Sequence, residues 1–313
     1  METAGRLRGQ SGLALAGAAL AAFLAVGLLG ARAYGWNYWL YRGFDAPRDP
    51  AYVTTPGTQQ EISVESPALG GRAQQVYVYL PPGYASSGRR YPVVYLLHGF
   101  PGRPLAFLET VRMGVVVDSV AARTHAPGAI LVMPFGSTGT FTDKEWANGV
   151  GRGQGWATFV ARDLVRAIDA RYRTIGDARG RAIAGLSEGG YGAIDIALHH
   201  PREFSVVESW SGYERPDKLR PIFGKNLQLL AANDPQTLLA RAAPTLRREH
   251  VFVWFYSGSD DPLRKQNRAF AGELARYRIP HRYFEAFGGH NWALWRDNAL
   301  PAYRAALARL SRG

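Results

Sequence analysis

Apolar positions along the chain fall into two regimes. From Gly12 to Gly30 they run without a charge, and from Glu61 onward short apolar runs alternate with stretches of helical periodicity. At about 1.5 Å per residue, a helix over those 19 positions is roughly 28 Å long, close to the hydrocarbon thickness of a bilayer. The run has no polar face, which argues against a buried helix of a soluble domain. Arg6 and Arg8 precede it, and Tyr34, Trp36, Tyr38 and Trp39 follow, residues suited to a membrane–water interface. The pattern predicts a membrane segment through residues 12–30, with the arginines cytoplasmic and the remainder exported. An uncleaved anchor is expected over a cleaved signal, because the run exceeds the usual apolar core of about 7–15 residues. Ala31-Arg32-Ala33 is the competing feature, an approximate small-x-small cleavage site. The rest of the chain is expected outside the cytoplasm, membrane-anchored or secreted.

Three segments follow: 1–33 as anchor or signal, 34–60 as a polar, Pro-containing linker, and 61–313 as the folded domain. Glu61–Glu65 and Gln74–Leu80 alternate apolar and polar positions and predict a strand pair. Pro92–Leu97, Ala129–Met133 and Arg181–Ala184 are short apolar runs, the signature of strands covered on both faces. Ser205–Trp210, Val251–Tyr256 and Arg282–Phe287 complete the strands. Helices are predicted over Leu105–Arg123, Trp156–Arg171, Glu188–His200, Arg264–Arg278 and Ala299–Leu310. This alternation specifies an α/β fold, a mostly parallel central sheet with helices on both faces. Glu214–Arg248 interrupts it and reads as a small helical insertion over one end of the sheet.

Composition narrows the chemistry. Hydrophobic residues make up 47 % and charged residues 20 %, a globular balance. The absence of Cys excludes disulfide scaffolds, thiol nucleophiles and Cys-ligated metals. Lys and Arg number 37 against 25 Asp and Glu, a net charge of +12, but the arginines are scattered and no compact basic run tracks a phosphate backbone. Nucleic acid is therefore not an expected partner, whereas an anionic surface suits the charge. Gly149-Val150-Gly151-Arg152-Gly153-Gln154-Gly155 misses the dinucleotide fingerprint, since Trp156 stands where its last glycine belongs. It reads as a flexible loop near the site. His199 and His200 are adjacent on a helix and diverge, so no metal set emerges. Neither cofactor nor metal is expected.

Gly185-Leu186-Ser187-Glu188-Gly189 fits G-x-S-x-G between a predicted strand and a predicted helix, the setting in which a serine is held on a tight, strained turn. A serine hydroxyl is a weak nucleophile and needs a base steadied by a carboxylate, in the chain order Ser, acid, His. His290, in a glycine loop just after the last strand, is the expected base. Asp260 and Asp261, just past the strand Val251–Tyr256, both qualify as the acid. The oxyanion donors are expected to be the backbone N–H groups of Glu188, at the helix start, and Phe100, in the loop His98-Gly99-Phe100-Pro101-Gly102. Gly99 lets that loop approach the reacting carbonyl, while His98 is expected to shape it. Gly99, Trp156 and Trp292 are the expected substrate-facing residues.

The chain resembles the putative-esterase family of α/β-hydrolases, which includes S-formylglutathione hydrolases, feruloyl esterase domains, enterochelin esterases and mycolyltransferases of the antigen 85 group. The resemblance runs from about Glu61 to Leu310. It rests on Tyr79-Leu80-Pro81-Pro82-Gly83-Tyr84, Leu96-Leu97-His98-Gly99, Met133-Pro134, Gly185-Leu186-Ser187 and Gly288-Gly289-His290. It implies an α/β-hydrolase fold with eight strands, a Ser-Asp-His triad and ester chemistry without a cofactor. The family's G-x-x-D is met by Gly258-Ser259-Asp260-Asp261, which favours Asp261. Trp156, in Gly155-Trp156-Ala157-Thr158-Phe159, is similar to a Trp at a helix start in the mycolyltransferases, although that subgroup carries Glu as the acid. The expected activity is hydrolysis of a carboxylic ester through an acyl-enzyme. The alternatives are envelope acyl transfer and a non-catalytic envelope protein on the same fold. The expected partner is an ester substrate, either a lipid or an acylated envelope polymer. Neither the acyl group nor the oligomeric state is legible.

Overall fold

The computed structural model describes residues 2–53, 55–124, 128–136, 146–216 and 220–311. The chain divides into two units, Met1–Ala46 and Pro47–Gly313. In the first, one helix spans Glu2–Tyr41, and its stretch Ala14–Tyr41 is long and apolar enough to cross a membrane. It continues through the aromatic cluster, where an irregular linker was expected from residue 34. No proline interrupts the sequence before Pro47, and the helix ends at Arg42 and Gly43, both at positive φ.

The second unit is built on an eight-stranded sheet, the number the resemblance implies. Its strands are β1 (Thr58–Ser66), β2 (Arg72–Leu80), β3 (Val93–Leu97), β4 (Ile130–Pro134), β5 (Arg181–Leu186), β6 (Val206–Trp210), β7 (Phe252–Gly258) and β8 (His281–Ala286). In space they run β1-β2-β4-β3-β5-β6-β7-β8. β1 and β2 form an antiparallel hairpin, and β2 joins β4 antiparallel. From β4 across to β8 every pairing is parallel, so the C-terminal ends of β3 to β8 all lie at one edge. That edge carries the site. β3 to β7 are buried throughout; β3 and β4 are unbroken apolar runs, whereas β6 also buries Glu208 and Ser209.

One core layer joins β3, β5 and β7 side chains to the helices Glu188–His199 and Pro235–Arg248, and the other lies beneath Met113–Thr124 and Trp292–Leu307. The segment expected as one helix over 105–123 forms two, Ala106–Glu109 and Met113–Thr124, separated where Arg112 takes φ 66°. The segment Trp156–Arg171 is helical as expected but passes through a π-helical stretch, Phe159–Leu164. The last helix begins seven residues before the expected Ala299, because Asn291 caps it by accepting the Leu294 amide. The insertion is helical, with Arg220–Phe223, Leu227–Ala231 and Pro235–Arg248; residues 217–219 within it lie outside the described residues.

The glycine run 149–155 is tied down rather than flexible. Gly149 donates to the Gln154 carbonyl and Gly155 to that of Ala68. A Cβ on Gly153 or Gly155 would stand 2.9 or 2.8 Å from a backbone oxygen of the Pro67–Leu69 turn. These glycines serve close backbone packing.

Candidate active site

β5 ends at Leu186, the helix Glu188–His199 starts at Glu188, and Ser187 alone makes the turn between them, with φ 54° and ψ −119°. A non-glycine residue there is strained, and the surrounding structure must hold it. Its glycines explain how. A Cβ on Gly185 would stand 2.1 Å from the Gly189 carbonyl oxygen, and one on Gly189 would stand 1.9 Å from that of Leu97. Only hydrogen fits at either position, so the helix start lies directly against β3 and β5.

Ser187 is half-buried, and its Oγ lies 2.8 Å from His290 Nε2. The other ring nitrogen, Nδ1, lies 2.8 Å from Asp261 Oδ2. Three strand ends meet here, since Ser187 follows β5, Asp261 follows β7 and His290 follows β8. Of the two candidate acids, Asp260 is exposed and its amide donates to the Gly288 carbonyl, whereas Asp261 is 4 % exposed and faces the imidazole. Burial by itself would push the Asp261 carboxyl up. The His290 hydrogen bond and charge, the Ser211 hydroxyl and the Leu263 amide outweigh burial and hold it below the usual carboxylate range. The ring of Trp295 meets His290 edge-on at 5.1 Å between centroids, which fixes the plane of the imidazole.

The loop after β3 forms the opposite wall. A Cβ on Gly99 would stand 3.0 Å from Ser187 Cβ, so this glycine is what lets the loop close on the serine. His98 is buried, with Nδ1 on the Gly99 carbonyl and Nε2 on that of Phe135, and its own carbonyl accepts the Trp146 indole N–H at 3.0 Å. Burial lowers the His98 pKa. His98 therefore shapes the loop, as expected. Phe100, next in the chain, is 43 % exposed, and the Glu188 amide stands at the helix start.

Two expected substrate-facing residues divide. Trp292 is half-buried at the first position of the last helix, with its ring 5.0 Å from that of Trp295. Trp156 is a correction. It is 1 % exposed within the core, its indole N–H donates to Gln154 Oε1, and Phe159 packs edge-on against it. An indole enclosed this way supports the glycine run and presents no face to a substrate.

Sequence reasoning overlooked Ser211, Glu214 and Trp295. Ser211, at φ 59° directly after β6, donates its hydroxyl to Asp261 Oδ2. A polar residue immediately past a strand end at this edge was the signal that marked it. Glu214 is buried in the same turn, and neither carboxyl oxygen has a hydrogen-bond partner among the described residues. Burial and the Asp261 charge push its carboxyl up.

The profile of the putative-esterase family matches residues 66–306. The chain belongs to this family. Among curated relatives, Esterase Rv1288 of Mycobacterium tuberculosis is 30 % identical over 248 residues, covering 69 % of this chain and 52 % of that protein. The chain thus spans about half the length of that relative. Diacylglycerol acyltransferase/mycolyltransferase Ag85A of Mycobacterium leprae is 26 % identical over 266 residues, 75 % of each. Among solved structures, a ferulic acid esterase superposes with a TM-score of 0.71 at 23 % identity, over 82 % of this chain and all of that one. The last comparison supports the fold, and the family match gives the chain its place.

Proposed function

We propose that the chain is a serine carboxylic-ester hydrolase that works through an acyl-enzyme, with Ser187, His290 and Asp261 as its triad. The observation that carries this is the continuous chain of contacts from Ser187 Oγ through both ring nitrogens to Asp261, 2.8 Å at each step. Ser187 Oγ attacks the ester carbonyl carbon while His290 Nε2 takes its proton. Asp261 holds the Nδ1–H and stabilises the imidazolium that forms. The oxyanion is held by the amides of Phe100 and Glu188, which bracket the serine from the β3 loop and the helix start. Collapse expels the alcohol, which leaves with the proton from His290. A water then attacks the acyl group with His290 again as base, releasing the acid and restoring the serine.

Domain organisation and location belong to the same reading. The apolar helix anchors the chain or directs its export, and the folded unit works outside the cytoplasm on an ester of the envelope, a lipid or an acylated polymer. The transmembrane length of Ala14–Tyr41 and the net charge of +12 support this. The Mycobacterium leprae relative, a diacylglycerol acyltransferase/mycolyltransferase, favours a second reading, acyl transfer, in which a sugar or lipid hydroxyl replaces water. A panel of esters of increasing acyl length, with and without an added alcohol acceptor, tests both readings. Wild type should turn over at least one ester, and Ser187→Ala should lose about 10⁴-fold or more of that rate. Equal rates in the two proteins would refute the reading.

A further inference from the structure

Within the folded unit, large apolar side chains are exposed at only five described positions: Val53, Phe100, Val150, Leu227 and Phe287. Four of them follow strand ends. Phe100 comes after β3, Val150 after β4, Leu227 after β6 and Phe287 directly after β8. Phe100 and Phe287 come straight off that parallel array, on the edge that bears Ser187. Val150 joins them because its loop bonds the β1–β2 turn (Gly155 N–H to the Ala68 carbonyl), which the β2–β4 register sets at the C-terminal end of β4, and the Val150 amide in turn holds Ile222, five residues before Leu227. Scattered single apolar residues need no explanation, but concentration at one edge does.

The four fall into two groups flanking the site. Phe100 adjoins Gly99, which abuts Ser187, and Phe287 shares its loop with His290. Val150 and Leu227 belong to one lobe. The Val150 amide donates to the Ile222 carbonyl at 2.9 Å, and Ile222 and Phe223 are buried with Ala147 beneath it. Leu227 opens the next helix and is 76 % exposed. Beside these two stand Arg152 and Lys225, both exposed and without an acidic partner among the described residues. Apolar tips flanked by unpaired cations are the chemistry of a surface that settles into an anionic lipid interface.

We propose that this rim is a docking surface for an anionic bilayer and lays the mouth of the Ser187 site against the lipid. The inference rests on the esterase reading only in what the site would then meet, an ester presented from within the membrane. The occupant is argued from the chain itself, which carries a helix long and apolar enough to reside in a bilayer and a net charge of +12.

The absence of native Cys gives a direct test. Leu227→Cys and Phe287→Cys each place one thiol on the rim for an environment-sensitive fluorophore. Arg179→Cys places one before β5, at the opposite edge. Each labelled full-length chain is reconstituted in phosphatidylglycerol-containing vesicles bearing nitroxide lipids. The rim positions should be quenched at least threefold more than position 179, and the difference should shrink in phosphatidylcholine vesicles. Equal quenching at the two edges, or none at the rim, overturns the proposal. In a second arm, Leu227→Ser combined with Val150→Ser should lower turnover of a bilayer-embedded long-chain ester about tenfold and leave a soluble short-chain ester within twofold. An equal fall on both substrates overturns it as well. A wild type that cleaves neither ester but still shows rim quenching would refute the esterase reading and leave the docking surface standing.

Discussion

Asp261 shows how a single side chain is tuned by its contacts. One oxygen accepts the Leu263 amide at 2.8 Å, and the other is shared by His290 and the Ser211 hydroxyl. Hydrogen bonds to a charged group contribute about 1.5–3 kcal/mol each, so Ser211 is a positioning residue of some weight. Replacing it with Ala should reduce kcat on a soluble ester by about tenfold with little change in KM. The pH profile separates this from a loss of packing. Ser211 is one of the groups holding the Asp261 carboxyl low, so its removal lets that carboxyl rise toward its ordinary value. The part of the acid limb due to Asp261 should then move to higher pH, while Ser211→Thr should keep it in place. Of the atoms around the serine, sequence named Ser187, His290 and the aspartate pair, because each follows a recognisable strand. It left the two aspartates undivided on their own residues. Burial divides them, and no periodicity reports which neighbour turns inward.

Elements set the positions these residues need. The strand-to-helix turn at Ser187 exists because Gly185, Gly189 and Gly190 have no side chains. A Cβ at Gly190 would meet Ser209 Oγ at 2.7 Å. Gly189→Ala forces a methyl onto the Leu97 carbonyl, a backbone atom that has no rotamer to yield. Overpacking of this kind costs about 2–3 kcal/mol, and thermal unfolding should show Tm lowered by about 5 °C or more. The Glu188 amide shifts with the helix start, so activity should fall further than the loss of folded protein explains. Strands were legible to within a few residues, since apolar runs buried on both faces leave a plain trace. Helix ends were less so. The helix Trp292–Leu307 starts in what reads as a glycine loop, with Asn291 as its cap and Pro301 inside it, a residue that usually marks a helix start or break. The division of 105–123 depends on Arg112 adopting a left-handed conformation, which its side chain does not announce. Trp156 was misread for a related reason. A Trp at a helix start looks the same in sequence whether it faces a cleft or the core.

At the scale of the whole molecule, buried ionisable groups make stability depend on pH. Glu208 lies within β6 among aromatic residues, and its one hydrogen bond among the described residues comes from the Trp210 indole N–H at 2.9 Å. Burial pushes its carboxyl up to about 8 from an ordinary value of 4.5. The folded chain keeps a proton there that the unfolded chain releases, so this group's contribution to stability declines as pH rises from about 4.5 to about 8. Glu208→Gln keeps an acceptor for the indole and cannot ionise. Its melting temperature relative to wild type should therefore rise between pH 5 and pH 9, and a constant difference would count against a neutral buried Glu208. The same edge of the sheet gathers Ser187, His290, Asp261 and the exposed apolar side chains, because six parallel strands deliver their C-terminal loops to one place. The proposed chemistry turns on the hydroxyl at position 187. Intact-mass measurement after exposure to an alkyl fluorophosphonate tests it most directly. One adduct per chain, mapped to Ser187 and lost in His290→Ala, is the predicted result. A fully folded wild type that takes up no adduct, or takes it up equally well without the imidazole, would contradict it.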